Sequence, residues 1–281
     1  MDKKANYKRY INAKVLIYLV LGLGSILMIF PFIWMLITSV KTIAETTRIP
    51  PTFWPDDIKN TAAYRSVTNS LPFFKLYLNT ILMIIFRIIC ALVFSSTAAY
   101  ALAKLNFRGK TLFFTIIITQ LMLPSQIFII PQFKMISQMG MTNTVFAMVF
   151  PGIVSAFGTF FLRQAYMGIP DDIMEAARID GCNEFQIFYK ITMPLTKTAM
   201  SALAVFTALI AYSDLMWPLI VNTNLNKLTL SAGLSTLRGQ YVTNYPVLMA
   251  GSVLAMLPMI VLYLIFQKQF VEGIALTGTK A

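Results

Sequence analysis

Residues 76–102 read LYLNTILMIIFRIICALVFSSTAAYAL, with Arg87 as the one charge in the stretch. A helix crossing the roughly 30 Å hydrocarbon layer of a bilayer needs about 20 mostly apolar residues. This segment meets that length. Working outward, five more stretches have the same character: Val15–Val40, Leu112–Ile130, Val145–Tyr166, Thr198–Leu219 and Val247–Phe266. The apolar runs are continuous, without the alternation a membrane β-barrel requires. The expected fold is therefore all-α: a polytopic helical membrane protein with about six transmembrane helices in one domain, residues 1–281.

Composition agrees. Of 281 residues, 57% are hydrophobic and 12% charged, about half the charged share of a soluble domain. The chain has no histidine. That excludes Ser-His-Asp and Cys-His catalysis and HExxH zinc sites. Cys90 and Cys182 form no CxxC pair and read as inert small residues. The net charge of +12 would suggest nucleic acid on a soluble protein. Here it reads as charge flanking the spans. With the N-terminus inside, fourteen Lys and Arg lie on the inner side and eight on the outer. That bias predicts both termini in the cytoplasm. The outer segment 41–75, with Pro50, Pro51, Pro55 and Pro72, reads as irregular and solvent-facing.

Between the fourth and fifth stretches lies a polar loop, residues 168–197. Its first part, 168–194, reads GIPDDIMEAARIDGCNEFQIFYKITMP and holds five of the eleven acids. Pro170 suits a helix start. Asp172 and Glu175 have capping-box spacing, and Asn183 with Gln186 repeats it. Gly181 fits a left-handed helix stop. The expectation is a short helix, a glycine elbow and a second helix towards Ile191, with Pro194 starting the return to the membrane. Adjacent alanines leave a smooth face that a partner's groove can accept. An amphipathic helix lying on the membrane would show the same local pattern.

Glu175-Ala176-Ala177, then Gly181, then nine residues before Ile191, Met193 and Pro194, resemble the EAA loop of ABC importer permeases. Met193 stands where that family has Leu. Trp217-Pro218-Leu219, Leu228-Thr229-Leu230, Gly239-Gln240-Tyr241 and Leu248-Met249-Ala250-Gly251-Ser252 are similar to the last two spans of maltose-permease-like, carbohydrate-uptake permeases. The resemblance implies a carbohydrate importer of the bacterial cytoplasmic membrane. It implies a second homologous permease subunit, two cytosolic ATPase subunits and an extracytoplasmic sugar-binding protein as partners. It implies no cofactor on this chain, with ATP and Mg on the ATPase. Glu175, Ala176, Ala177, Asp180, Gly181, Ile191 and Pro194 would form the ATPase-coupling loop. The segment from Asn222 to Pro246 would meet the binding protein.

Gly109-Lys110-Thr111 looks like the end of a P-loop, but Lys104 stands where its first glycine belongs. It reads as a basic turn. For the substrate path, Asp214 is the unusual polar residue: an acid at membrane depth is costly, and it either serves function or holds structure. Tyr212, Trp217, Gln240 and Tyr241 either contact sugar hydroxyls or anchor the membrane interface. Arg87 reads as pairing or snorkelling. Two rival functions remain at this stage: an ABC permease for a non-sugar solute, and a stand-alone secondary transporter, for which inverted repeats, broken helices or paired intramembrane charges would be evidence.

Overall fold

The computed structural model describes residues 3–238 and 243–278, with side chains described for 14–238 and 243–267. Among the described residues every regular element is helical. In chain order the α-helices are α1 Lys3–Ser39, α2 Ile43–Thr47, α3 Ala62–Ser70, α4 Phe73–Lys104, α5 Lys110–Met122, α6 Ile129–Gln138, α7 Val145–Val149, α8 Ala156–Met167, α9 Asp171–Ile179, α10 Glu184–Ile187, α11 Met193–Leu195, α12 Lys197–Ser213, α13 Met216–Val221, α14 Leu230–Ser235 and α15 Tyr245–Gly278. The chain divides into two compact units, Met1–Ser70 with Thr236–Leu257, and Leu71–Ser235 with Pro258–Ala281.

Among the described residues, three helical segments are long and apolar enough to cross a membrane: Lys14–Ser39, Phe73–Lys104 and Tyr245–Gln267. The third and fourth stretches are bent, and the fifth is interrupted at Asp214, where straight helices were expected; the turn before the fifth, at Thr196, lies where the sequence places the return to the membrane. The helix over Lys110–Met122 turns by 103° into Ser125–Gln138. Pro124 forces this break, because it drives Leu123 into extended backbone (φ −91°, ψ 134°). At 13 residues α5 is about 20 Å long, short of a full crossing. Val145–Gly152 meets Ala156–Met167 at 48°, with Pro151 at the break. Glu184–Leu195 meets Lys197–Ser213 at 77°, and Asp214 then separates α12 from α13.

In the first unit, the polar segment after α1 is less solvent-facing than expected: Lys41 and Glu45 are buried. Thr42 and Glu45 form a reciprocal capping box at α2. Glu45 also accepts the Asp56 N–H at 2.6 Å. These backbone donors, Asp56 first and then Thr42, hold its carboxyl below the usual range. Lys41 donates to the Thr52 carbonyl and lies over the Trp34 ring, 5.2 Å from its centroid.

In the second unit α4 is the spine, packed against α7, α8, α12 and α14. One cluster joins Ala99 and Tyr100 of α4 to Leu162 and Tyr166 of α8, Met174 and Ala177 of α9, and Leu203 of α12. A second joins Met83 and Ile84 to Ala147, Met148, Ala208, Trp217 and Val221. The carbonyls at the end of α4 are satisfied by side chains, as a buried helix terminus requires. Arg163 Nε donates to Leu102 O at 3.1 Å, and Lys110 Nζ donates to the carbonyls of Ala103 and Leu105. The P-loop look-alike thus forms a basic turn whose lysine closes a helix end.

Gly158 marks the closest approach of α8 to α4 and α12. A Cβ there would lie 2.7 Å from Ser95 Oγ and 3.2 Å from Leu203 Cδ2. Gly158→Leu is expected to destabilise the second unit by about 1–3 kcal/mol, read as a lowered thermal midpoint of the purified protein.

Candidate functional site

The loop after α8 folds as an elbow. Pro170 precedes α9 without a side-chain cap, so the expected Asp172–Glu175 capping box does not form. The helix begins two residues earlier than that box requires, at Asp171, which puts Asp172 inside the first turn. Asp171 and Asp172 in that turn and Arg178 in the last complement the helix dipole. At the far end, Cys182 N donates to Ala177 O at 2.9 Å and Gly181 N to Arg178 O at 3.0 Å. This is a complete Schellman motif with Gly181 at φ 82°. A Cβ on Gly181 would meet nothing within 4 Å, so backbone conformation and not space demands glycine. Asn183 and Gln186 cap α10 reciprocally, as the sequence predicts. A π-turn over Phe188–Thr192 follows, where Thr192 Oγ1 donates to Ile187 O at 3.1 Å. Pro194 sits in α11, and the chain turns at Thr196 into α12.

Four polar contacts fasten this elbow. Tyr100 of α4 donates its hydroxyl hydrogen to Glu184 Oε2 at 2.8 Å. Arg178 of α9 donates to Glu184 Oε1 at 2.8 Å. Lys104, at the end of α4, donates to Asp171 at 2.7 Å and to the Ile169 carbonyl at 2.6 Å. Arg178 holds the Glu184 carboxyl below its ordinary range, and Lys104 does the same for Asp171. Both shifts are depressions, so the contacts contribute fully above the unfolded carboxylate range and are lost as pH falls through the folded values. Hydrogen exchange of the α9 amides, corrected for intrinsic rate, should stay constant from neutral pH to about 5 and rise below about 4.

The two faces of α9 differ. Met174 and Ala177 are buried in the core cluster, whereas Glu175, Ala176 and Asp180 are exposed. Of the paired alanines, then, one packs inward and only Ala176 looks out. The elbow also exposes large apolar side chains that sequence reasoning missed: Ile179 on α9 at 86%, and Phe185 and Tyr189 in its second half at 73% and 63%. Phe185 and Tyr189 are four residues apart, a spacing that placed both on one helix face from the outset. Ile191 is half-buried against the cluster and Pro194 is exposed.

A second constellation lies where the fourth and fifth stretches break. Arg87 Nη2 and Asp214 Oδ2 form an ion pair at 2.8 Å, with Arg87 only 6% exposed. Arg87 also donates twice to the Met148 carbonyl, at 3.1 and 2.6 Å. Trp217 Nε1 donates to the neighbouring Ala147 carbonyl at 2.7 Å. Pro151 has no N–H to give the Ala147 carbonyl four residues back. Trp217 supplies that missing donor. Asp214 Oδ1 in turn accepts the Trp217 N–H at 3.4 Å, at the start of α13. Trp217 is therefore a buried hydrogen-bond donor to the backbone. Tyr212 is half-buried beside the same cluster. Gln240 and Tyr241 lie outside the described residues.

Removing one member of the ion pair leaves the other charge stranded. Asp214→Asn or Arg87→Met alone should cost about 3 kcal/mol. The double variant Arg87→Met with Asp214→Leu should cost clearly less than either single, read by denaturation in detergent.

Residues 91–275 match the family described as binding-protein-dependent transport system inner membrane component, and the chain belongs to that family. It is thus the membrane-embedded permease subunit of a transport system. The chain is 34% identical over 90% of its length to the arabinooligosaccharides transport system permease protein AraQ of Halalkalibacterium halodurans, covering 91% of that protein. It is 33% identical over 82% of its length to the sn-glycerol-3-phosphate transport system permease protein UgpE of Shigella flexneri, covering 83% of it. Among solved structures it is similar to a bacterial ABC transporter involved in import of the acidic polysaccharide alginate. That match has TM-score 0.77 and 25% identity, and covers 96% of this chain and 99% of the other.

Proposed function

We propose that this permease carries a carbohydrate, in the oligosaccharide class, from an extracytoplasmic binding protein into the cytoplasm, and that its elbow is the coupling site for a cytosolic ATPase. The observation that carries the coupling proposal is the two-sided elbow. Its inner face is fastened to α4 through Tyr100, Lys104, Met174 and Ala177. Its first helix exposes Glu175, Ala176, Ile179 and Asp180, and its second half exposes the apolar side chains of Phe185 and Tyr189. An exposed apolar patch on a fastened helix is what a partner's groove recognises. Gly181 sets the elbow's angle, while Ile191 and Pro194 set the start of the return towards α12.

The remaining parts of the assembly follow the same reading. A second homologous permease completes the pathway, and two ATPase subunits bind ATP and Mg beneath it. Both termini and the elbow lie on the cytoplasmic side, with six crossings, of which the fifth begins at α12, after the elbow. Tyr212, Gln240 and Tyr241 remain candidates for the substrate path. Asp214 is reassigned to holding the break between α12 and α13. A phosphorylated polyol, the cargo named for the glycerol-phosphate relative, calls for an uncommitted cation in the path. Among the described residues, Arg87, a cation buried in the second unit, is committed to Asp214. That favours an uncharged sugar.

Purification of the tagged chain from its native membrane should recover an ATPase and a second permease, identified by mass spectrometry. A chain that purifies alone in several detergents would contradict the assembly and favour a stand-alone transporter. Gly181→Val and Glu175→Arg should each abolish uptake while leaving the protein in the membrane. Normal uptake in both would remove the elbow from coupling. Uptake of radiolabelled oligosaccharides against glycerol phosphate decides the cargo.

A further inference from the structure

The 77° turn between Glu184–Leu195 and Lys197–Ser213 encloses a groove of about 600 Å³ on the second unit. Its walls are apolar: Leu92 of α4, Met193 of α11, and Met200 and Ala204 of α12. Leu92, Met193 and Met200 back onto the core cluster, so the floor belongs to the packed fold. Two exposed lysines, Lys190 and Lys197, line the same groove, and no acid does. Among the described residues neither lysine forms an ion pair. The groove therefore joins a greasy slot to two unneutralised positive charges, at the point where the polar elbow gives way to the apolar helix α12.

We propose that this groove binds an anionic phospholipid of the inner leaflet, its phosphate held by Lys190 and Lys197 and an acyl chain laid along Leu92, Met193 and Met200. Basic pockets between membrane helices at the cytoplasmic face recognise such headgroups, each lysine contributing to the preference. The apolar walls select a lipid over a free phosphate, since a soluble anion gains nothing from them. A protein partner would have to bring its own acids to meet the two lysines, whereas the leaflet supplies anions at high local concentration. The inference rests on the cytoplasmic placement of the elbow proposed above. It gives the lipid a place that shares Tyr189 and Pro194 with the elbow, at the turn through which elbow movement reaches α12.

The test uses the assembled importer in nanodiscs of phosphatidylcholine with or without phosphatidylglycerol. A photoactivatable phosphatidylglycerol should label the peptides covering residues 189–204, and the phosphatidylcholine analogue should not. Lys190→Gln with Lys197→Gln should lower the anionic preference roughly 30-fold. Met200→Trp, which fills the slot and keeps both lysines, should also abolish labelling. Equal labelling by both lipids, or labelling indifferent to both variants, would overturn the proposal. So would competition by free glycerol phosphate, which would mark a soluble anion as the occupant. So would labelling seen only in the isolated chain, which would mean that another subunit covers the groove. Placement is read separately, by whether a membrane-impermeant maleimide reaches Cys182 from inside or outside. Modification from outside would overturn the placement and the lipid site together. Modification from inside with no lipid labelling would overturn the lipid site alone.

Discussion

One carboxylate joins the elbow to the membrane helices. Glu184 accepts from Tyr100 on α4 and from Arg178 on α9, and it opens α10. Both halves of the elbow therefore meet the spine at a single residue. Lys104 adds a second fastening, to Asp171 and the Ile169 carbonyl. Between these polar contacts the helices are packed: Met174, Ala177, Ile187 and Phe188 close against Tyr100, Tyr166 and Leu203. Protein interiors packed in this way transmit displacement instead of absorbing it. A push on the exposed face of α9 is thereby a push on α4, and through α4 on α7, α8, α12 and α14.

The breaks in the third, fourth and fifth stretches are the price of that architecture in a medium without water. Every interrupted helix frees carbonyls that hydrocarbon cannot satisfy. The fold answers at the fourth break with Trp217 on Ala147 and Arg87 on Met148. Asp214 neutralises Arg87 and accepts the Trp217 N–H at the start of α13. The charges at membrane depth are thus explained by backbone chemistry. Paired intramembrane charges, which from sequence alone were a mark of a stand-alone secondary transporter, here hold a helix break closed.

Much of this was legible before any coordinates. Long apolar runs announced membrane helices, and Gly181, Asn183 and Gln186 announced the elbow, because turn and cap chemistry is local. The bends were not legible, since hydropathy records what avoids water and carries no direction. Pro124 and Pro151 lie inside or beside runs that stay apolar through the turn. The Arg87–Asp214 pair joins residues 127 positions apart, beyond the reach of any spacing rule. Thr42 and Glu45 were readable as a capping box, yet the prolines around them suggested an irregular segment. At the elbow, the motif singled out Ala176 and Ala177 together, although a helix necessarily turns adjacent residues to different faces. Only the folded chain separates the alanine that packs inward from the one that looks out.

The central claim is that the elbow and α4 move as one rigid lever. The direct measurement is a pulsed electron–electron distance between spin labels at Ala176→Cys and Thr97→Cys. It is made in the assembled importer, in a background lacking Cys90 and Cys182. The account predicts one narrow distance, unchanged between the nucleotide-free and ATP-bound states. A change of about 5 Å, one helical turn, or a distribution that broadens on ATP binding would show that the elbow flexes on its own. That result would contradict the account.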